Sequence, residues 1–333
     1  MFEKGFLQDV RHNLWEQFSK HTLALDRKDK KMAITYNIQN RKGGVGKTET
    51  ALNMAYGISQ AGYKTLYIPF DPQANGQSTM MKDDSEITVE QAMKVREFYD
   101  KSEDKQAIMK AYKALASSGF SKERKYGIDI NDVLKTPTMI QQAIHQTCYP
   151  NLEIITASDD LSMTDGYLKL SGKNPSGRLR TALSSIDNDY DVVIIDNSPF
   201  ESSLTYNSIC ACYKEGDTII IPVTISDRSI KGLGATLEIL IEWLNEERLP
   251  YDCKLLITMK QRNKLTNEWI KTLRHIFPNR VFTQEIRFQG KPVESASLKN
   301  VILLEDKDKS NVQSDYRVYV DEILEDIKNK LGR

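Results

Sequence analysis

The chain has 333 residues, enough for one large α/β domain with additions or for two domains. Its 46 Lys and Arg residues balance 46 Asp and Glu, which excludes a globally basic nucleic-acid binder and confines any such site to a local patch. Cys148, Cys210, Cys212 and Cys253 lack zinc-type paired spacing and suit a reduced, cytoplasmic setting, no run approaches ~18 consecutive apolar residues, and Glu3 and Asp9 do not suit a signal peptide.

In chain order, residues 1–31 read as an extra helix, with Leu7, Val10, Leu14 and Phe18 spaced as one apolar stripe for packing on the main domain. Residues 32–39 read as a strand and 50–59 as a helix. Between them lies Arg41-Lys42-Gly43-Gly44-Val45-Gly46-Lys47-Thr48. A phosphate-binding loop has the pattern G-x-x-x-x-G-K-[ST] between a strand and a helix, and that context is present. Glycines let backbone N–H groups curl toward one anion, and the helix N-terminus favours negative charge. Lys47 is then expected to reach the β- and γ-phosphates and Thr48 to ligate Mg²⁺. Lys42 precedes the glycines, so it is placed poorly for its own phosphates. It is either a lysine that reaches nucleotide in a facing subunit, as an arginine finger does, or a solvated side chain.

A strand over 65–70 leads into Asp71-Pro72-Gln73. Ligands of open α/β sheets gather at the carboxyl ends of strands, so Asp71 is placed to orient an attacking water; its alternative is an Asp-Pro turn. Residues 82–125 are charged, mixed in sign and helix-favouring, and read as a helical insertion on the rim. Further strands are expected at 152–157, 192–197, 218–224, 254–259 and 281–288, alternating with helices. Short runs such as Val192-Val193-Ile194-Ile195 suit strands buried on both faces. The alternation predicts an α/β fold, a doubly wound, mostly parallel sheet flanked by helices. Asp196 closes its strand and is expected to face Mg²⁺. Cys210-Ala211-Cys212 reads as core rather than as a metal or cluster site. Residues 254–300 hold ten basic residues against three acidic ones, an electrostatic footprint for phosphate backbones or a basic face offset by acidic neighbours.

Together these pieces resemble the ParA branch of the deviant Walker A ATPases, which segregate plasmids and bacterial chromosomes. The resemblance covers about residues 32–325. Asn40 to Thr48 is similar to the family's first motif, Asp71-Pro72-Gln73-Ala74-Asn75 to its second, and residues 190–199 with Leu204-Thr205-Tyr206-Asn207 to its third. Ile221-Pro222-Val223, Gly232-Leu233 and Lys291-Pro292-Val293-Glu294-Ser295-Ala296-Ser297 also fit. The resemblance implies that Lys42, Gly43, Gly44, Val45, Gly46, Lys47, Thr48 and Glu49 border ATP, with Mg²⁺ at Thr48 and Asp196. It implies catalytic roles for Lys42, Lys47 and Asp71. Two subunits would close face to face on ATP, with Lys42 touching the partner's phosphates. The homodimer would bind nonspecific DNA through Arg262 and Lys291, with Lys264 beside them. A ParB-type centromere-binding partner would trigger hydrolysis and release, in a nucleoid-associated protein that binds no membrane.

Three departures stand out. Glu49 occupies a position that the family usually fills with Thr or Ser near the α-phosphate; a carboxylate there repels phosphate unless it points away, toward Arg41 or another base. Pro69 replaces the first acid of a D-x-D-P-Q pattern, and the 82–125 insertion is long. The rival within the superfamily is a MinD-like ATPase that binds membrane through a C-terminal amphipathic helix. Residues 315–331 are rich in acidic side chains, which suits a helix packed on the protein better than one on anionic lipid.

Overall fold

The computed structural model describes residues 32–72, 76–82, 126–171, 175–226, 233–240, 242 and 249–332. The expected helix over 1–31, the insertion beyond Lys82, and Gln73, Ala74, Asn75 and Gly232 lie outside the described residues.

From the first strand the order is β1 (Ile34–Ile38), α1 (Lys47–Gln60), β2 (Thr65–Phe70), α2 (Gln77–Met81), α3 (Ile130–Lys135) and a 3-10 helix at Pro137–Ala143. There follow β3 (Ile144–Gln146), β4 (Leu152–Ile155), α4 (Leu161–Leu170), α5 (Arg178–Ser184), β5 (Val192–Asn197), α6 (Ser203–Cys210) and β6 (Thr218–Thr224). The chain ends with β7 (Asp252–Thr258), α7 (Lys264–Ile276), α8 (Gly290–Leu298) and α9 (Asn311–Leu331). The strands form one seven-stranded sheet in the order β3-β4-β2-β5-β1-β6-β7. Only the β3–β4 pair is antiparallel. The doubly wound α/β sheet expected from the sequence is therefore the observed one.

Its central strands are apolar on both faces because both faces are covered. On β5, Val192 and Ile194 join the core beneath α1 and α9, while Val193 and Ile195 join the core beneath α3 to α6. Each such side chain contributes roughly 1.5–3 kcal/mol by leaving water. A third core forms where β6 and β7 meet the helical residues 233–240 and α7. The C-terminal helix α9 buries Tyr316, Tyr319, Val320, Ile323 and Ile327, one helical face, against α1 and the sheet. Val320 presses on Gly57 of α1, where an added Cβ would lie 2.5 Å from Val320 Cγ1. Asp326 of α9 accepts from Tyr36 and pairs with Lys254 and Lys330, which anchors the helix to β1 and β7. The helix thus turns its apolar stripe inward and packs on the protein, as its acidic content implies. Among the described residues no helix is long and apolar enough to cross one.

One strand expectation needs correction, and one strand went unforeseen. Residues 281–288 do not form a strand; they run beside β7 with only two isolated bridges, Leu255 to Val281 and Lys260 to Arg287. The ladder breaks because the backbone N–H groups of Thr283 and Gln284 donate to the Glu322 carboxylate on α9, at 2.9 and 3.1 Å. The three-residue β3, an antiparallel edge, carries too little pattern to be foreseen. Boundaries also shift: β4 stops at Ile155, and β7 ends before Met259, whose φ of 51° leaves the extended region.

Register places the site. Ile38 at the end of β1 lies opposite Asp196 of β5, and Asp196 lies opposite Pro69 of β2. The loop after β1, the carboxylate closing β5 and Asp71 just past β2 thus share one carboxyl edge of the sheet. Pro69 is tolerated because β4 pairs with β2 only over Thr65 to Tyr67, so the missing N–H has no partner strand on that side.

Candidate functional site

The loop from Asn40 to Thr48 is held from outside by side chains that close off its backbone. Asn40 donates through Nδ2 to Pro222 O at 2.7 Å and accepts from Lys42 N at 2.8 Å. Thr258 Oγ1 donates to Val45 O at 2.9 Å. Gly44 and Gly46 take φ of 69° and 82°, and Gly46 opens α1. These angles are costly for any residue with a Cβ. Space is open above Gly43 and Gly44. The result is a curled backbone ahead of a 14-residue helix, an anion-binding arrangement.

Lys47 is buried and donates to Asn40 O at 3.0 Å and Lys42 O at 3.1 Å. Burial lowers its pKa, while the charges of Asp196 and Asp71 work the other way. The three expected groups therefore sense one another electrostatically. Lys42 is half-buried, and while its carbonyl accepts from Lys47 its amine lies 3.5 Å from Ser226 Oγ.

Asp196 is buried, and burial lifts its carboxyl to about 6; hydrogen bonding from Thr48 and Tyr67 and the Lys47 charge offset part of that rise, and Asp71 adds to it. Tyr67 Oη donates to Asp196 Oδ2 at 3.0 Å. Asp196 Oδ1 has no hydrogen-bond partner among the described residues. A buried carboxylate oxygen left open beside a threonine hydroxyl is a hard-oxygen donor set that fits Mg²⁺.

Glu49 does not reach Arg41, contrary to one expectation. Arg41 pairs instead with Glu201 in the loop after β5, at 2.9 Å. Glu49 Oε1 accepts from Asn53 Nδ2 at 2.7 Å, one helical turn on. The reason is local: position 53 stands on the same face of α1, and Asn53 is fixed by accepting from Leu304 N at 3.0 Å. Burial raises the Glu49 pKa, and the Asn53 bond opposes this. Glu49 also lines a cavity of about 170 Å³ with Gly46, Met259, Ile286, Phe288 and Tyr316.

The basic segment is far less charged in space than along the chain. Lys254, Lys260, Lys271, Arg274, Arg280, Arg287 and Lys299 are ion-paired, with Asp326, Glu285, Glu268, Glu285, Asp252, Asp315 and the Asp306–Asp308 pair respectively. Acidic neighbours thus offset most of the patch. Arg262, Lys264 and Lys291 have no ion pair among the described residues. Arg262 and Lys264 border an open groove of about 710 Å³ at the N-terminus of α7. The Lys260–Arg287 bridge brings the start of α8, with Lys291, to the same sheet edge. That edge also carries the nucleotide loop, since Thr258 and Met259 pack on Val45 and Gly46.

Sequence reasoning missed Tyr67, Asn53 and Thr258. Tyr67 sits two residues ahead of Pro69 on a strand whose apolar run masks a polar tip, and only the register with β5 reveals its target. Cys210, Cys212 and Cys253 are buried core residues, and the described residues contain no cluster suited to a metal among His, Cys, Asp and Glu.

Comparison with known proteins agrees with this geometry. A family model described as an AAA domain matches residues 33–249. The chain is 27% identical over 272 residues to the chromosome partitioning protein ParA of Myxococcus xanthus, covering 81% of this chain and 80% of that protein. A variant of Cyanothece McdA in complex with ATP has a TM-score of 0.66 at 20% identity, covering 89% of this chain and 98% of that one. Cobyrinic acid a,c-diamide synthase of Mycobacterium smegmatis, with a bound ATP analogue and magnesium, has a TM-score of 0.62 at 19% identity, covering 90% and 97%. At such identities the two structures establish the fold alone. The matched AAA-domain model, together with the partition relatives over most of the chain, establishes that this protein belongs to the ParA/Soj/MinD-type family of P-loop ATPases.

Proposed function

We propose that the chain is a DNA-partition ATPase: an ATP-dependent homodimer that binds nonspecific DNA and lets go when a centromere-binding, ParB-type partner stimulates hydrolysis. The observation that carries this reading is that Arg262, Lys264 and Lys291 alone of the segment's cations have no ion pair among the described residues, on the edge that holds the nucleotide loop. Phosphate backbones attract such a group without regard to sequence.

In this reading the backbone N–H groups from Gly43 to Thr48 hold the phosphates, and Lys47 leaves its carbonyl partners for the β- and γ-oxygens. Thr48 and Asp196 would hold Mg²⁺, which when bound neutralises charge on the transferred phosphoryl group. Asp71 orients the attacking water. Lys42 reaches across the closed dimer to the partner's nucleotide, and the open space over Gly43 and Gly44 lets the two loops approach. Turnover is slow until the partner binds.

The role of Asp71 supplies the test. Asp71→Ala should bind ATP and remain dimeric while losing turnover. Turnover equal to the parent protein, with DNA and partner present, would remove Asp71 from catalysis and leave the hydrolytic part of the reading without its water-orienting group.

A further inference from the structure

We infer that Glu49 is a specificity-determining residue that accepts a hydrogen bond from a ribose hydroxyl of the bound nucleotide. The inference rests on the nucleotide-site reading above and goes beyond it by naming what selects the sugar.

The argument starts from where the carboxylate sits. Glu49 directly follows Thr48, so it stands at the point where the phosphate-gripping turn ends. The cavity of about 170 Å³ opens there, bounded by Gly46 of the loop itself. Met259, Ile286, Phe288 and Val293 line it too and offer apolar faces for a flat ring, beside the polar Arg287, Gln289 and Glu294. A nucleotide with its phosphates on the loop and its ring among those side chains must place its sugar between them, beside Glu49.

The carboxylate is held in place to meet it. Oε1 is occupied by Asn53 Nδ2 at 2.7 Å, and fully buried Asn53 is itself fixed by Leu304 N at 3.0 Å. This clamp directs the charge along α1, away from the turn that receives phosphate. The remaining oxygen has no hydrogen-bond partner among the described residues. An ionised carboxylate only accepts, so its complement must be a donor. The sugar offers donors in its hydroxyls; the phosphates offer none. Asn53 is by the same argument a positioning residue.

A site built to bind a hydroxyl discriminates against a ligand that lacks it, because its acceptor is then left unpaired. The experiment is equilibrium binding of ATP, 2′-deoxy-ATP and 3′-deoxy-ATP to the full chain and to Glu49→Thr and Glu49→Gln. The parent protein should bind ATP about tenfold tighter than one of the two deoxy analogues, the scale of one hydrogen bond to a charged acceptor. In Glu49→Thr that ratio should fall to about twofold or less while affinity for ATP holds or rises, since a nearby negative charge has gone. Glu49→Gln, nearly isosteric and able to serve if the threonine variant fails to fold, should give an intermediate ratio. Equal affinity of the parent for all three nucleotides would overturn the inference, as would a ratio unchanged in the variants. If the parent bound none of the three, the nucleotide-site reading itself would fail, a distinguishable result.

Discussion

Tyr67 of β2 donates its hydroxyl hydrogen to Asp196 Oδ2 of β5 at 3.0 Å, with both side chains buried. The contact joins two neighbouring parallel strands just below the phosphate-binding loop. It leaves the other carboxylate oxygen open, and it favours the ionised form that a cation needs. Tyr67→Phe should therefore weaken Mg²⁺-dependent nucleotide binding by several-fold and cost the fold roughly 1–2 kcal/mol, the scale of a lost hydrogen bond to a charged group. Magnesium titration of nucleotide binding, with denaturant unfolding alongside, reads both. Unchanged magnesium dependence would show that Asp196 does not depend on this tyrosine.

Lys42 touches the Lys47–Asp71–Asp196 cluster only through its carbonyl, which accepts from Lys47, while its amine lies near Ser226. Lys42→Ala should keep nucleotide affinity within a few-fold and lose ATP-dependent dimerisation, as expected of a group that acts in trans. Light scattering with ATP measures this. A dimer of parent strength would assign Lys42 to its own subunit or to solvent.

Ion pairing divides the basic segment into a neutralised majority and Arg262, Lys264 and Lys291. The double substitution of Arg262→Ala and Lys291→Ala should weaken DNA binding evenly across sequences. It should also lower the slope of log affinity against log salt by about 2, about 1 for each phosphate contact removed. Substituting Lys254, already paired with Asp326, should leave that slope alone. A slope insensitive to the double substitution would place the DNA contacts elsewhere.

Asp217 gives a prediction about stability. It is fully buried, accepting from Thr35 N at 2.8 Å and Lys214 N at 2.9 Å. Burial raises its pKa to about 6, against the charge of Lys214. An unfolded aspartate titrates near ~3.9, so between these values the folded state holds a proton that the unfolded state lacks. Its contribution is therefore full below about pH 4 and lost as pH rises through about 6, a change on the order of 3 kcal/mol. Denaturant unfolding across this range should show that loss in the parent and not in Asp217→Asn. Parallel pH profiles would contradict it.

The sequence carried the sheet because buried parallel strands are short apolar runs. Residues 65–70, 192–197 and 218–224 match their strands end to end. Residues 281–288 hold Val281, Phe282, Ile286 and Phe288 among polar residues and read as one more strand, yet Glu322, distant in sequence, captures two of their N–H groups and breaks the ladder. The phosphate loop was legible because its chemistry is local: glycines, lysine and threonine at fixed spacing. Tyr67 and Asn53 were not, because their roles depend on strand register and on a turn near Leu304. Ten basic residues in a stretch of forty-seven told little about charge in space, since the partners of Lys254, Arg280, Arg287 and Lys299 (Asp326, Asp252, Asp315 and Asp306) lie outside the segment.

The central claim is that the nucleotide state governs DNA binding at the shared sheet edge. DNA binding measured with ATP and Mg²⁺, with ADP and Mg²⁺, and without nucleotide tests it most directly. The account predicts strong, salt-sensitive binding with ATP alone among the three. Equal binding in all three states, or none in any, would contradict it.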